Sequence, residues 1–313
     1  MLWSLSPALA APFTVGDILT TRDGPEGMRQ VMEWTRDGFL VQTIDVPYAP
    51  GQASPDAVRD VAIDETGNLV VFTGTYNVRL STYNVRTGVW AHYAMDYFNI
   101  HPVLSTGKLA VYSHFAFATD GFMGGLDTSG VVMLDTRTNQ LSRFDASTTA
   151  DGPIDLTIGK DGYLYGLYGE GSPPGRTIKA FNPVTKALIK TIKLPNSFLF
   201  GIGSGNCSIA VDALGYIYLS EGTGRIIKLT PNGLTVMQNM TFTSTAYSVD
   251  MDVSNDGTMM VTQKDGRLTF LDKMLLETST RNTTNYYSSQ TFGAFIDRYP
   301  RAFQPPPAPI VWP

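Results

Sequence analysis

Cysteine is all but absent from this chain and histidine is scarce. Cys207 is the single cysteine among 313 residues, so no internal disulfide can brace the fold. Three histidines, His92, His101 and His114, leave little material for a histidine-rich metal or proton-transfer centre. No apolar run approaches the roughly 20 residues that a membrane-crossing helix needs. Charged residues make up 16% of the chain, and the 23 basic ones are scattered singly under a net charge of −5. A nucleic-acid partner therefore lacks its basic footprint. The G-x-S-x-G elbow, the H-E-x-x-H helix and the phosphate-binding P-loop are all missing.

A repeated unit is present instead: a short apolar strand, a tight polar turn with glycine, and a second apolar strand. Its copies are VAIDETGNLVV (Val61–Val71), VLSTGKLAV (Val103–Val111), LTIGKDGYLYGL (Leu156–Leu167), IAVDALGYIYL (Ile209–Leu219) and MDVSNDGTMMV (Met251–Val261). The turn glycines Gly67, Gly107, Gly162, Gly215 and Gly257 follow one another at 40, 55, 53 and 42 residues. A unit of that length built of strands alone means blades around an axis. Further alternating strands and Pro/Asn/Gly turns follow each copy, as in Arg176–Leu194 and Gly224–Met240. Four strands per unit, named A to D from the axis outward, make a propeller blade.

The first segment, Gly16–Val46, supplies strands B, C and D with no A strand before them. The missing strand lies at the other end, where Gly293–Asp297 (GAFID) aligns with Ser208–Asp212 (SIAVD). Pairing the two ends closes the ring and removes both bare strand edges. The expected fold is all-β: a six-bladed propeller over residues 16–300, closed by its C-terminal strand. Residues 1–15 read as the remnant of a secretory leader, with Ala8-Leu9-Ala10 as an A-x-A cleavage pattern, and 301–313 as a proline-rich tail. Location outside the cytoplasm follows from that leader: secreted, periplasmic or in the cell envelope.

The segment IAVDALGYIYLSEGTGRIIKLTPNG, Ile209–Gly233, resembles the repeats of NHL-type propellers and of the streptogramin-lyase-like family, a superfamily that includes the metal-dependent gluconolactonases. The resemblance implies the six-bladed fold and says little about function. In simple repeats of this kind the residue four before the A–B turn is small. Here that place holds Asp60, His101, Asp155, Ser208, Asp250 and Gly293, which should share one level at the channel mouth. Three carboxylates converging on one axis must be hydrated, protonated or bridged by a cation. Calcium or magnesium accepts such oxygen ligands. Asp60, Asp155 and Asp250 are therefore candidate metal ligands, with His101 and Asp155 as candidate catalytic groups and Asp252 as a second level. The alternative is a wet channel lined by solvated polar groups.

The D–A and B–C connections share the face at which A strands begin. The segment Ser113–Gly130 reads as a long insertion there, with His114, Phe115, Phe117, Phe122 and Met123 as a ligand-face cover. The gluconolactonase ligand positions, carried over one by one, fall on Arg59, Ile100, Ile154, Cys207, Val249 and Phe292, none of which supplies that family's carboxylate or amide. Glu221 resembles the glutamate that ends the B strand in the lyases, without the clustered histidines they use. Taken together, the reading is an exported monomeric module that binds a small molecule or a protein at the channel mouth. Its alternative is a calcium- or magnesium-dependent hydrolase or lyase acting on a lactone or ester.

Overall fold

The computed structural model describes residues 10–23, 29–50, 57–74, 78–95, 108–119, 130–146, 153–170, 175–194, 207–220, 224–241, 248–263, 266–282 and 293–297. Three strands open the chain: β1 (Ile18–Asp23), β2 (Arg29–Trp34) and β3 (Leu40–Asp45). Blade 2 follows as β4 (Val58–Ile63), β5 (Leu69–Thr73), β6 (Arg79–Asn84) and β7 (Val89–Ala94). Blade 3 is β8 (Leu109–Tyr112), β9 (Phe115–Thr119), β10 (Gly130–Asp135) and β11 (Gln140–Ala146). Blade 4 is β12 (Pro153–Ile158), β13 (Leu164–Glu170), β14 (Gly175–Phe181) and β15 (Leu188–Leu194). Blade 5 is β16 (Ser208–Val211), β17 (Ile217–Ser220), β18 (Arg225–Leu229) and β19 (Val236–Thr241). Blade 6 is β20 (Ser248–Val253), β21 (Met259–Gln263), β22 (Arg267–Leu271) and β23 (Glu277–Asn282).

The last strand, β24 (Gly293–Phe295), pairs antiparallel with β1 through Ile18↔Phe295, Leu19↔Ala294 and Thr20↔Gly293. Blade 1 thus takes its inner strand from the far end of the chain, giving the order β24-β1-β2-β3. The inner strands touch in a closed circuit, β24 to β4, β8, β12, β16, β20 and back to β24. The ring has six sheets of four strands and is closed.

Six apolar clusters fill the six gaps between neighbouring blades. Strand alternation divides each inner strand between two gaps. Leu69 and Val71 of β5 face blade 1, whereas Val70 and Phe72 face blade 3. Burial on both faces explains why these strands read as unbroken apolar runs. Phe13, which is buried, belongs to the cluster between blades 1 and 2. Ala11 exchanges hydrogen bonds with the Gln42 side chain, at 2.9 Å each way. Among the described residues, packing on the ring thus includes residues 10–13, ahead of the boundary expected at 15/16.

The A–B turns follow one chemistry. Asp64 Oδ1 accepts the N–H groups of Thr66 and Asn68, and Gly67 takes φ +82°. Asp212 Oδ1 does the same for Leu214 and Tyr216. Blade 4 has Gly159 where that aspartate would stand, and Asp161 provides the carboxylate instead. A Cβ on Gly159 would sit 2.4 Å from the Asp161 Oδ1. Tyr165 donates to Asp161 Oδ2 at 2.6 Å, as Tyr218 does to Asp212 Oδ2 at 3.1 Å.

Blade 3 departs from the expectation. Its A–B hairpin is the two-residue turn Ser113-His114 between Tyr112 and Phe115, with Ser113 at φ +57°. Lys108–Val111, expected as a second strand, leads into and forms the first. The expected turn around Ser105 and Gly107 lies outside the described residues. Phe115 and Phe117 belong to the B strand β9 rather than to a loop, and Phe117 is fully buried. The connection between strands B and C is shortened accordingly to residues 120–129, and Phe122 and Met123 lie there, outside the described residues.

Candidate functional site

Three of the inner strands start with an aspartate set on an irregularity. The pairing of β4 with β5 shifts register between Val58 and Asp60, that of β12 with β13 between Pro153 and Asp155, and that of β20 with β21 between Ser248 and Asp250. A bulge re-aims the side chain that it carries. Blades 2, 4 and 6 thus each present one aspartate at the A-strand entrance. The alternate places carry Gly293 in blade 1, Lys108 in blade 3 and Ser208 in blade 5. Lys108 is fixed in this register by its strand partner. Its N–H donates to Thr119 Oγ1 at 3.1 Å, as the Ser208 N–H donates to Ser220 Oγ at 2.9 Å. His101, expected at the blade 3 position, lies outside the described residues, and Lys108 holds that place.

Each polar side chain of the ring engages its neighbours. Asp60 Oδ1 accepts the Val61 N–H and Oδ2 the Leu109 N–H of the next blade, both at 2.7 Å. Asp155 repeats this with Leu156 at 2.8 Å and Ile209 at 2.7 Å. Ser208 Oγ accepts the Met251 N–H at 3.0 Å and donates to Asp250 Oδ1 at 3.3 Å. Asp250 Oδ2 accepts the Gly293 N–H at 3.2 Å. These bonds tie one inner strand to the next.

The Lys108 ammonium lies among the carboxylates, 2.7 Å from Asp250 Oδ1 and 3.7 Å from Asp155 Oδ1, with 0% of its side chain exposed. Blade 3 faces blade 6 across the ring, so this ion pair spans the axis. Burial on its own would lower the lysine pKa. The carboxylates of Asp155, Asp250 and Asp60 outweigh it and hold the ammonium above its ordinary range. Burial pushes the Asp155 carboxyl up to about 6, with Asp250 adding to the rise and Lys108 opposing it. Burial, and then the Asp250 charge, raise the Asp60 carboxyl well above its ordinary value.

A second level lies two residues further along the inner strands. Lys160, in the A–B turn of blade 4, pairs with Asp297 at the end of blade 1's inner strand, again across the axis. Its ammonium is 4.0 Å from Asp252 Oδ1. Asp252 Oδ2 accepts the Phe295 N–H at 2.9 Å, and Asp297 Oδ1 the Asn255 N–H at 3.2 Å. Burial lifts the Asp252 carboxyl to about 6, against the Lys160 charge.

The divalent ion expected from three converging carboxylates would share their company with a lysine. Each oxygen of Asp60, Asp155 and Asp250 accepts at least one hydrogen bond, and the Lys108 ammonium stands among these carboxylates. Among the described residues no set of three or more His, Cys, Asp and Glu side chains is placed to hold a metal. Lys108 was legible only through the strand that follows it. The run LAVYSHFAFAT has no turn glycine, so the glycine of Ser105-Thr106-Gly107 diverted the alignment by one strand.

His114 lies on the opposite face from the A-strand entrances, in a cluster that joins the A–B turns of blades 2 and 3. Ser113 Oγ donates to Glu65 Oε2 at 2.5 Å, and Arg137 pairs with Glu65. The His114 Nδ1 is 3.1 Å from Ser113 Oγ and 3.5 Å from Glu65 Oε1. A hydroxyl–imidazole–carboxylate relay needs the two ring nitrogens to face different partners. Here one nitrogen faces both, so this is a turn brace. Glu221 lies outside the described residues.

No protein-family model and no curated protein matches this chain. Solved structures do resemble it. The WD40 domain of Pan2 from Neurospora crassa is 11% identical over 95% of this chain and 81% of its own, with a TM-score of 0.51. A protein of unknown function from Bacteroides caccae is 9% identical over 88% and 98%, with a TM-score of 0.54. Apo AztD from Citrobacter koseri is 12% identical over 89% and 97%, with a TM-score of 0.45. At such identities the first two show the propeller fold and nothing finer.

Proposed function

We propose that this protein is an exported binding or scaffold module that holds a small molecule or a protein on the face where its A strands begin. The carrying observation is the unequal length of the connections on the two faces. On the A–B side, blades 2, 4, 5 and 6 use five residues between strands and blade 3 uses two. On the entrance side, five connections are longer, with 12 residues between β3 and β4, 14 between β7 and β8, 10 between β9 and β10, 13 between β15 and β16 and 10 between β23 and β24, and the others have three to six. Connections that exceed what strand joining needs are where a rigid ring carries recognition.

The filled axis supports binding over catalysis. Among the described residues, the ring carboxylates that a hydrolase would use are buried and hydrogen-bonded within the ring, whereas a general base must lie within hydrogen-bonding reach of substrate. Export rests on the A-x-A pattern Ala8-Leu9-Ala10 in the sequence. Cleavage after Ala10 leaves Ala11 and the buried Phe13 in place.

The test is site-specific photo-crosslinking in an extract of the source cells. A crosslinker at Phe122 should capture a ligand or partner, and one at the exposed Leu214 on the opposite face should capture none. Capture from Leu214 alone, or turnover across a panel of lactones and esters, would overturn this reading.

A further inference from the structure

Among the described residues, the axis holds the carboxylates of Asp60, Asp155, Asp250, Asp252 and Asp297 and two ammonium groups, Lys108 and Lys160, that join opposite blades. Lys108 links blade 3 to blade 6, and Lys160 links blade 4 to blade 1. Three features show that Lys108 acts as a counter-ion and not as a chance contact. It is completely buried, which an ammonium tolerates only when paired. It occupies the ring position that in blades 2, 4 and 6 carries an acid. It also contacts two ring acids, Asp250 of blade 6 beside the closing seam and Asp155 of the adjacent blade 4.

We propose that Lys108 is the resident cation of this hub and takes the electrostatic place of a divalent ion, so that the propeller closes and holds its shape without metal. The claim concerns the hub alone and stands whether or not the binding face has been identified correctly. A carboxylate ring at a propeller entrance needs positive charge to form in a dry core. A divalent ion would supply two charges and depend on supply from solution. The lysine supplies one from within the chain, and backbone N–H groups meet the carboxylate oxygens around it. Lys160 repeats the device at the second level and fastens the end of the strand that closes the ring.

The experiment uses the full chain. Elemental analysis after dialysis, and thermal unfolding with EDTA or with millimolar Ca2+ or Mg2+, should show no bound metal and no change in the wild-type Tm. Lys108→Met should lower Tm by on the order of 10 °C at pH 8. Part of that loss should return at pH 5, where the abandoned carboxylates take up protons. Lys108→Gly, which clears the ammonium's place, should regain Tm on adding Ca2+. The double variant K108M/D250N should be more stable than K108M alone, which keeps the test decisive even where K108M fails to fold. A stoichiometric metal whose removal lowers the wild-type Tm would refute the proposal. So would a double variant no better than the single one.

Discussion

Two glycines with the same backbone conformation separate strain from crowding. Gly233 has φ +72°, and a Cβ there would lie 2.2 Å from Ile192 Cγ2 in the neighbouring blade. Gly257 has φ +86° with open space around its Cβ position. Gly257→Ala should cost about 1 kcal/mol from the left-handed backbone alone. Gly233→Ala should cost about 2–3 kcal/mol, because overpacking adds to the strain. Urea unfolding of the two variants measures the gap. Equal losses would show that the blade 4–5 interface yields without cost.

Residue-level chemistry was also where the sequence was easiest and hardest to read. The three ring aspartates were legible as a shared level, because aligning the repeats on their A–B turns puts Asp60, Asp155 and Asp250 at one position. Their partner was not. A lysine preceding an apolar run carries no mark that it will cross a ring to Asp250, 142 residues away. Nor does periodicity reveal the three register shifts that turn Asp60, Asp155 and Asp250 inward.

At the scale of elements, the closing strand decides whether the ring exists. Only three residue pairs join β24 to β1, and the seam cluster beside it is Ile18, Met260, Leu268, Phe270 and Phe295. The strand's N–H groups are held by acids of blade 6, Gly293 by Asp250 and Phe295 by Asp252. Arg36 adds its guanidinium over the Phe295 ring, at 5.0 Å, while pairing with Asp256 at 2.5 Å. Phe295→Ala should destabilise the protein by about 3 kcal/mol. In hydrogen exchange, the amides of β1 and β20 should then lose protection while those of β13 keep it. Uniform loss across all blades would mean that the seam is not a separable weak point. Complementary ends gave this closure away in the sequence, since one partial unit lacked an A strand and the other consisted of little else. Blade 3 misled because a hairpin of two residues needs no glycine when Ser113 itself accepts φ +57°. With its turn placed at His114, the spacing from Gly67 is 47 residues and to Gly162 is 48, in place of the uneven 40 and 55.

For the whole molecule, the axial charge sets the pH response. Asp155 and Asp252 have carboxyl groups raised to about 6 in the folded ring, against about 3.9 in an unfolded chain. Between those values the folded state holds protons that the unfolded state has released. Stability contributed by these groups is therefore greatest in mild acid and falls as pH rises through about 6. Asp256, whose carboxyl is held low by hydrogen bonds from Ser254, Thr258 and Arg36, opposes this only at much lower pH. Thermal unfolding should give a higher Tm at pH 5 than at pH 8, and Asp252→Asn should flatten the difference. A Tm that falls steadily from pH 8 to pH 5 would mean that the axial acids are fully ionised and matched.

The most direct measurement is a crystal structure determined at neutral pH from crystals grown in millimolar calcium. The expected result is six four-stranded sheets, with Gly293–Phe295 paired to Ile18–Thr20 and the Lys108 ammonium within hydrogen-bonding distance of the Asp250 carboxylate. A calcium ion on the axis with Lys108 turned away, or a ring with Phe295 outside the first sheet, would contradict it.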